Sequence, residues 1–199
     1  MQEVRKIVLN VGCGNKLTKS TEEHYIVNID TVPPKDSSSV TLLDFFDKLD
    51  TLDTSKPLFL LDDAVKLTWV PDDIADELHA YHLIEHFPPY DVPKILRRWY
   101  EVLKPEGIIA LEQPDVVKCA MNLLQMVTNP ESHVGFNLGL LGFYGAQDPE
   151  QPLMAHKYGW TFNTLSPVMF GAGFRDIEEH FAQTHAKTKR DFRVEGTKR

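Results

Sequence analysis

The run Arg5–Val11 (RKIVLNV) breaks into Gly12-Cys13-Gly14, and a second apolar run, Tyr25–Ile29, begins after only ten intervening residues past Gly14. A β-rich run ending in a glycine turn reads as a buried strand that stops at a tight bend. Two such strands this close leave too little chain for a regular crossover helix, whose connection takes at least about ten to twelve residues. The chain therefore starts as an α/β fold with an abbreviated first crossover.

The rest of the sequence continues the alternation. Leu42–Leu49 has apolar residues at helical spacing, Leu58–Leu61 reads as a third strand ending at Asp62-Asp63-Ala64, and the first half of Glu77–Ile84 reads as a fourth. Asp91–Leu103 is the clearest helix, with Val92, Ile95, Leu96, Trp99, Val102 and Leu103 on one face and Lys104-Pro105-Glu106-Gly107 as its stop. Ile108–Leu111 is strand five, Val116–Val127 and Phe162–Phe170 are helices, and Phe174–Phe181 and Asp191–Val194 are the last strands. Strands alternating with helices predict a single domain over residues 1–199 with a doubly wound, mostly parallel, seven-stranded sheet and helices on both faces.

Composition narrows the partners. Twenty-one Lys and Arg against 29 Asp and Glu leave a net charge of −8, which argues against nucleic acid. The one basic stretch, Lys187–Arg199, reads as a solvated end strand. Cys13 and Cys119 form no disulfide framework and have no metal-ligand partner nearby in sequence. No apolar run approaches the ~18 residues of a membrane span. Met1–Lys6 is polar and carries no signal-peptide pattern, so a cytoplasmic location is expected.

Sheets of this kind take ligands beyond the carboxyl ends of their strands. Gly12–Gly14, Asp30, Asp63, His82–His86 and Gln113–Asp115 should then meet at one edge. A glycine turn lets backbone approach a ligand closely, and a carboxylate at the end of strand two can accept ribose hydroxyls. Together they predict an adenosine-containing cofactor. A dinucleotide is disfavoured: Leu17 stands where a third glycine is wanted, and the helix whose N-terminus would face a pyrophosphate is missing.

These residues carry a resemblance. VLNVGCGNK (Val8–Lys16), Asp30, Asp63-Ala64 with Leu67, HLIEHF (His82–Phe87), VLKPEG (Val102–Gly107) and AGF (Ala172–Phe174) resemble, in order and spacing, the motifs of class I S-adenosylmethionine-dependent methyltransferases. The resemblance implies a Rossmann-like fold whose last strand is antiparallel, with S-adenosyl-L-methionine as cofactor. It implies cofactor contacts from Asn10, Gly12, Cys13, Gly14, Asn15, Asp30, Asp62, Asp63, Ala64, Tyr81 and His82. Lys16 departs from the third glycine that the family often has, and Glu106 replaces the first glycine of a surface turn. Within the class, the chain is most similar to small bacterial proteins associated with sugar or cell-surface polysaccharide genes. That implies a small-molecule or glycan-precursor acceptor. A relative that binds the cofactor but serves as a regulatory partner is the alternative.

An acceptor hydroxyl would need a base, and His82, His86, Glu112, Asp115, His156 and Tyr158 are the candidates. His82-Leu83-Ile84-Glu85-His86 also spells the inverted zinc-peptidase motif. That motif needs a continuous helix, which Pro88-Pro89 and the preceding strand oppose, so no metal is expected. The long aromatic and glycine-rich stretch Val134–Trp160, with Phe136, Phe143, Tyr144, His156, Tyr158 and Trp160, lies in a substrate-lid insertion at about residues 116–161. An ordinary cap over the sheet edge, or a homodimer contact, is the competing reading.

Overall fold

The computed structural model describes residues 5–32, 38–39, 45–128, 135–185 and 189–199. The strands are β1 (Lys6–Val11), β2 (His24–Asp30), β3 (Ser38–Ser39), β4 (Leu58–Leu61), β5 (Ala75–Tyr81), β6 (Leu103–Pro114), β7 (Phe174–His180) and β8 (Asp191–Lys198). The α-helices are α1 (Val92–Val102), α2 (Val116–Thr128), α3 (Leu141–Tyr144) and α4 (Phe162–Ala172). The sheet order is β3-β4-β2-β1-β5-β6-β8-β7. Seven strands carry the sheet as expected, and the two-residue β3 extends one edge. All pairs from β3 to β6 are parallel, whereas β8 runs antiparallel to both β6 and β7.

One face of the sheet holds the core. Leu9 and Val11, Val27 and Ile29, Leu58 and Leu60, Leu78 and Ala80, Ile109 and Leu111, and Phe192 and Val194 belong to one cluster with Ile95 and Trp99 of α1 and Leu165 and Met169 of α4. The period of two in a strand puts the intervening residues on the opposite face, and these are more polar: Asn10, Asn28, Glu77, His79, Tyr81, Glu112 and Arg193. Over β1 and β2 a loop crosses that face where a helix would otherwise lie, as the short connection requires. Thr18 N–H donates to Asn28 Oδ1 at 2.9 Å, and Asn28 Nδ2 donates back to the Thr18 carbonyl at 2.8 Å. No described helix is long and apolar enough to cross a membrane.

Several boundaries moved. Leu42–Leu49 overlaps a 3-10 helix over Phe46–Thr51, and residues 40–44 lie outside the described set. β6 begins at Leu103 because its first residue pairs with Ala75 before a register shift over the Lys104–Gly107 bend. The larger correction concerns the basic end. β8 is no solvated tail; it lies between β6 and β7, with Phe192 and Val194 in the core and Asp191 and Arg193 also buried. Its charges stay inside because each meets an opposite charge. Arg190 Nε bonds Asp191 Oδ1 at 2.6 Å, and Arg193 Nη1 bonds Glu112 Oε1 at 3.0 Å.

Candidate active site

The carboxyl ends of β1, β2, β4, β5 and β6 share one edge, so the five expected loops do converge there. At its centre is the glycine turn. Gly12 and Gly14 have φ of +69° and +53°, a region that costs L-residues with a Cβ about 1–2 kcal/mol. A Cβ on Gly12 would also fall 2.6 Å from Leu83 Cδ2, while one on Gly14 would meet nothing within 4 Å. The two alanine variants should therefore separate. Gly14→Ala costs only its backbone strain, and Gly12→Ala adds about 1–3 kcal/mol of overpacking, read as the difference in urea midpoints. Equal losses would show that Leu83 yields freely.

Asp30 backs this turn. Its Oδ2 accepts the Gly14 N–H at 2.8 Å and its Oδ1 accepts those of Thr31 and Val32. Each carboxylate oxygen has two lone-pair positions, so Asp30 can hold the loop and still accept a hydroxyl. Open space over Gly14 beside a half-exposed carboxylate fits a cofactor bearing a ribose. Cys13 is a buried thiol whose pKa burial, aided by the Asp30 charge, pushes up to about 12; it packs and does not react. Asn15 is exposed in the same loop. Lys16 reaches the histidine cluster at the same edge, where its Nζ meets His185 Nε2 at 2.8 Å.

Three residues expected at the cofactor also make structural contacts. Asn10 Nδ2 donates to Asn28 Oδ1 under the loop. Asp62 is a buried turn cap whose two oxygens accept the N–H groups of Asp63 and Trp69. Tyr81 lies on the polar sheet face, stacked on His79, with its hydroxyl accepting from Arg193 Nη1 at 3.0 Å. Asp63 bonds the Val65 N–H, and the Ala64 carbonyl accepts the Trp99 indole N–H at 2.8 Å, which fixes the turn to α1.

The histidines form the other half of the site. β5 ends at Tyr81, and His82 takes a left-handed φ of +53° before a 3-10 turn, Ile84–His86. No continuous helix carries His82-x-x-Glu85-His86, so the zinc-peptidase geometry is absent. His82 is an ion-pair hub: Nδ1 lies 3.4 Å from Glu85 Oε1 and Nε2 lies 3.2 Å from Asp191 Oδ2. Burial alone would lower its pKa, but Asp191 and Glu85 together reverse that and hold it at about 9. That pKa favours the imidazolium form of His82 at neutral pH. The ring of His185 meets it edge to face at 4.0 Å, and burial with the charges of His82 and Lys16 depresses the His185 pKa to about 4.

His156 is brought back from the late insertion to this cluster. The Lys157 and Tyr158 N–H groups bond the Glu85 carbonyl at 2.8 and 3.3 Å, which docks the segment. His156 then stacks edge to face on His86 at 4.8 Å, and burial lowers its pKa, so it is neutral. Two other base candidates have hydrogen-bond partners of their own. Glu112 is fully buried and accepts from Gln183, Thr184 and Arg193. Asp115 caps α2 through the Val117 and Lys118 N–H groups. Tyr158 stays partly exposed beside Trp160, Phe143 is partly buried, and the side chain of Phe136 lies outside the described residues.

Asp191 and His185 are site residues that the sequence did not mark. The signal lay in topology: an antiparallel β8 starts where β6 ends, and Pro114 does pair with Asp191.

Residues 9–111 match a family described as "Methyltransferase domain". Among solved structures, a Bordetella parapertussis protein described as a "possible exported protein" superposes with TM-score 0.60 at 18% identity, covering 98% of this chain and 63% of its own. A SAM-dependent methyltransferase from Archaeoglobus fulgidus gives 0.56 at 15%, covering 98% and 86%. The 1,6-didemethyltoxoflavin-N1-methyltransferase of Burkholderia thailandensis gives 0.58 at 12%, covering 98% and 72%. No curated protein matches the sequence.

Proposed function

The chain belongs to the methyltransferase domain family, and on that premise we propose that it methylates a hydroxyl of a small molecule or glycan precursor. Its cofactor is S-adenosylmethionine, which when bound supplies a methyl group made electrophilic by the sulfonium. Gly12, Cys13 and Gly14 give the close backbone approach, Asn15 borders it, and Asp30 offers the acceptor for the ribose. Asp63 and Ala64 form the wall on the β4 side.

The observation that carries the reading is the pairing of an open glycine turn with a carboxylate 2.8 Å from Gly14 N. What supports a hydroxyl acceptor is the neutral His156 at the same edge. With Nδ1 bonded to the Gly142 carbonyl at 2.9 Å, its Nε2 is left as the proton acceptor. Gln113 and the Trp160 indole N–H are buried without hydrogen-bond partners among the described residues and are left to bind the acceptor. A small acceptor agrees with the 1,6-didemethyltoxoflavin bound in the Burkholderia relative. The described residues of the segment at 116–161, docked through Lys157 and Tyr158, close the acceptor side as a lid and orient the acceptor while excluding water.

Calorimetric titration with S-adenosylmethionine and S-adenosylhomocysteine tests this. Both should bind, and Asp30→Ala should weaken them by about 10–100-fold, as expected for a charge-assisted hydrogen bond plus a loosened loop. Absence of binding to either ligand would overturn the reading.

A further inference from the structure

Three side chains beyond β5 point to a second ligand. Glu85, His86 and His156 each offer a ligand atom, and these atoms lie within 4.8 Å of one another. Glu85 is 2% exposed and neither of its oxygens accepts a hydrogen bond. The cation at His82 offsets part of the cost of burying that carboxylate, and with no hydrogen bond on either oxygen the remainder is left for a second cation. His82 is on one side at 3.4 Å, and the neighbour on the other side is His156 Nε2 at 3.9 Å.

The two imidazoles are set for ligation. His86 Nδ1 lies 3.2 Å from the Ala155 carbonyl and His156 Nδ1 lies 2.9 Å from the Gly142 carbonyl. A ring nitrogen facing a carbonyl carries the proton, so in the neutral ring each Nε2 keeps a lone pair. Backbone carbonyls fix the tautomer of metal-binding histidines in this manner.

We propose that Glu85, His86 and His156 hold a first-row divalent metal ion, zinc, cobalt or manganese in type, with an open position that takes a hydroxyl of the methyl acceptor. Two imidazoles and one carboxylate suit such ions, whereas magnesium and calcium favour oxygen shells. Three protein ligands leave at least one position free. Metal–ligand bonds of about 2.0–2.2 Å require the three groups to draw together by roughly 1 Å on binding. The assignment of the fourth ligand rests on the methyltransferase reading. A hydroxyl bound to such an ion becomes far more acidic and gives its proton to solvent, so with the ion present His156 Nε2 is a ligand and no longer the proton acceptor; Leu83, two residues from Glu85, would be the nearest contact for a Cβ on Gly12. This set differs from the zinc-peptidase reading, because His82 is engaged with Asp191 and stays outside.

The full-length chain, stripped with EDTA, is titrated with Co²⁺ and followed by visible absorption, with Zn²⁺ competition against a chromophoric chelator. One ion per chain should bind, and Glu85→Gln, His86→Gln and His156→Ala should each weaken binding by at least about tenfold. Circular dichroism identifies any variant that has not folded. No binding to the wild type, or undiminished binding in the folded variants, overturns the site. Calorimetry with S-adenosylmethionine on the same stripped sample keeps the two readings apart. Cofactor binding without metal binding sinks the metal site alone; metal binding without cofactor binding sinks the cofactor assignment and leaves the site standing.

Discussion

Glu112→Ala is expected to destabilise the protein by about 3–5 kcal/mol, the range for removing one partner of a buried ion pair. In a chain of this length that is roughly 10 °C in Tm. The size follows from what the carboxylate holds. It accepts the Gln183 and Thr184 N–H groups at 2.9 and 2.8 Å, the Thr184 hydroxyl at 2.6 Å and Arg193 Nη1 at 3.0 Å. Burial opposes its ionisation, yet those donors hold its pKa below the ordinary carboxylate value. Without it, Arg193 keeps Tyr81 and Glu195, and the β7–β8 loop loses the bonds from Gln183 and Thr184. Replacing Glu112 and Arg193 together by apolar residues should cost less than the sum of the single changes. Strict additivity in that cycle, or a single-variant loss below about 1 kcal/mol, would show that the pair is not coupled as drawn.

The second large effect is a pH dependence centred on His82. Its pKa stands at about 9 in the fold against 6.5 for the ordinary group. A raised pKa means that the folded state binds the proton more tightly than the unfolded state. The stabilisation is therefore complete below about pH 6.5 and fades as pH rises through about 9. The linkage amounts to on the order of 3 kcal/mol over that interval. Urea unfolding between pH 6 and 10, in chelator, should show this decline in wild type and a much flatter profile in His82→Gln. A wild-type profile that is flat above pH 7 would remove the ion-pair hub. At the acid end the sign reverses for Asp191. Burial would raise its pKa, His82 and Arg190 lower it further, and its contribution is lost as pH falls below the normal carboxylate range.

Local patterns made the parallel half of the sheet legible. RKIVLNV running into glycines gave β1, the ten-residue gap correctly carried no helix, and the apolar stripe of Asp91–Leu103 became α1. Pro88-Pro89 after His86 correctly argued against a zinc-peptidase helix. Partnerships across long separations were not legible. His86 and His156 meet because Lys157 and Tyr158 return to the Glu85 carbonyl and the Ala155 carbonyl faces His86. The charges of β8 looked solvated because nothing in a linear reading pairs Arg193 with Glu112, 81 residues away. Asp115 carries a further role that was legible locally. An aspartate immediately before a helical run is an N-cap signal, and its side chain accepts the Val117 and Lys118 N–H groups.

The placement of β8 also governs the order in which the molecule can be assembled. β8 follows both of its neighbours in the chain, yet it lies between them, so β7 has no partner until β8 arrives, and one edge of β6 stays open. A nascent chain that has released β1 to β7 therefore presents an unpaired apolar edge along Ile109 and Leu111, the kind of template on which chains aggregate. Closure then comes in a single late insertion that pairs two strands at once and seats Arg193 against Glu112. Truncation within Asp191–Lys198 should consequently yield insoluble chain instead of a trimmed soluble domain, because the β6 edge would have nothing to meet except another molecule.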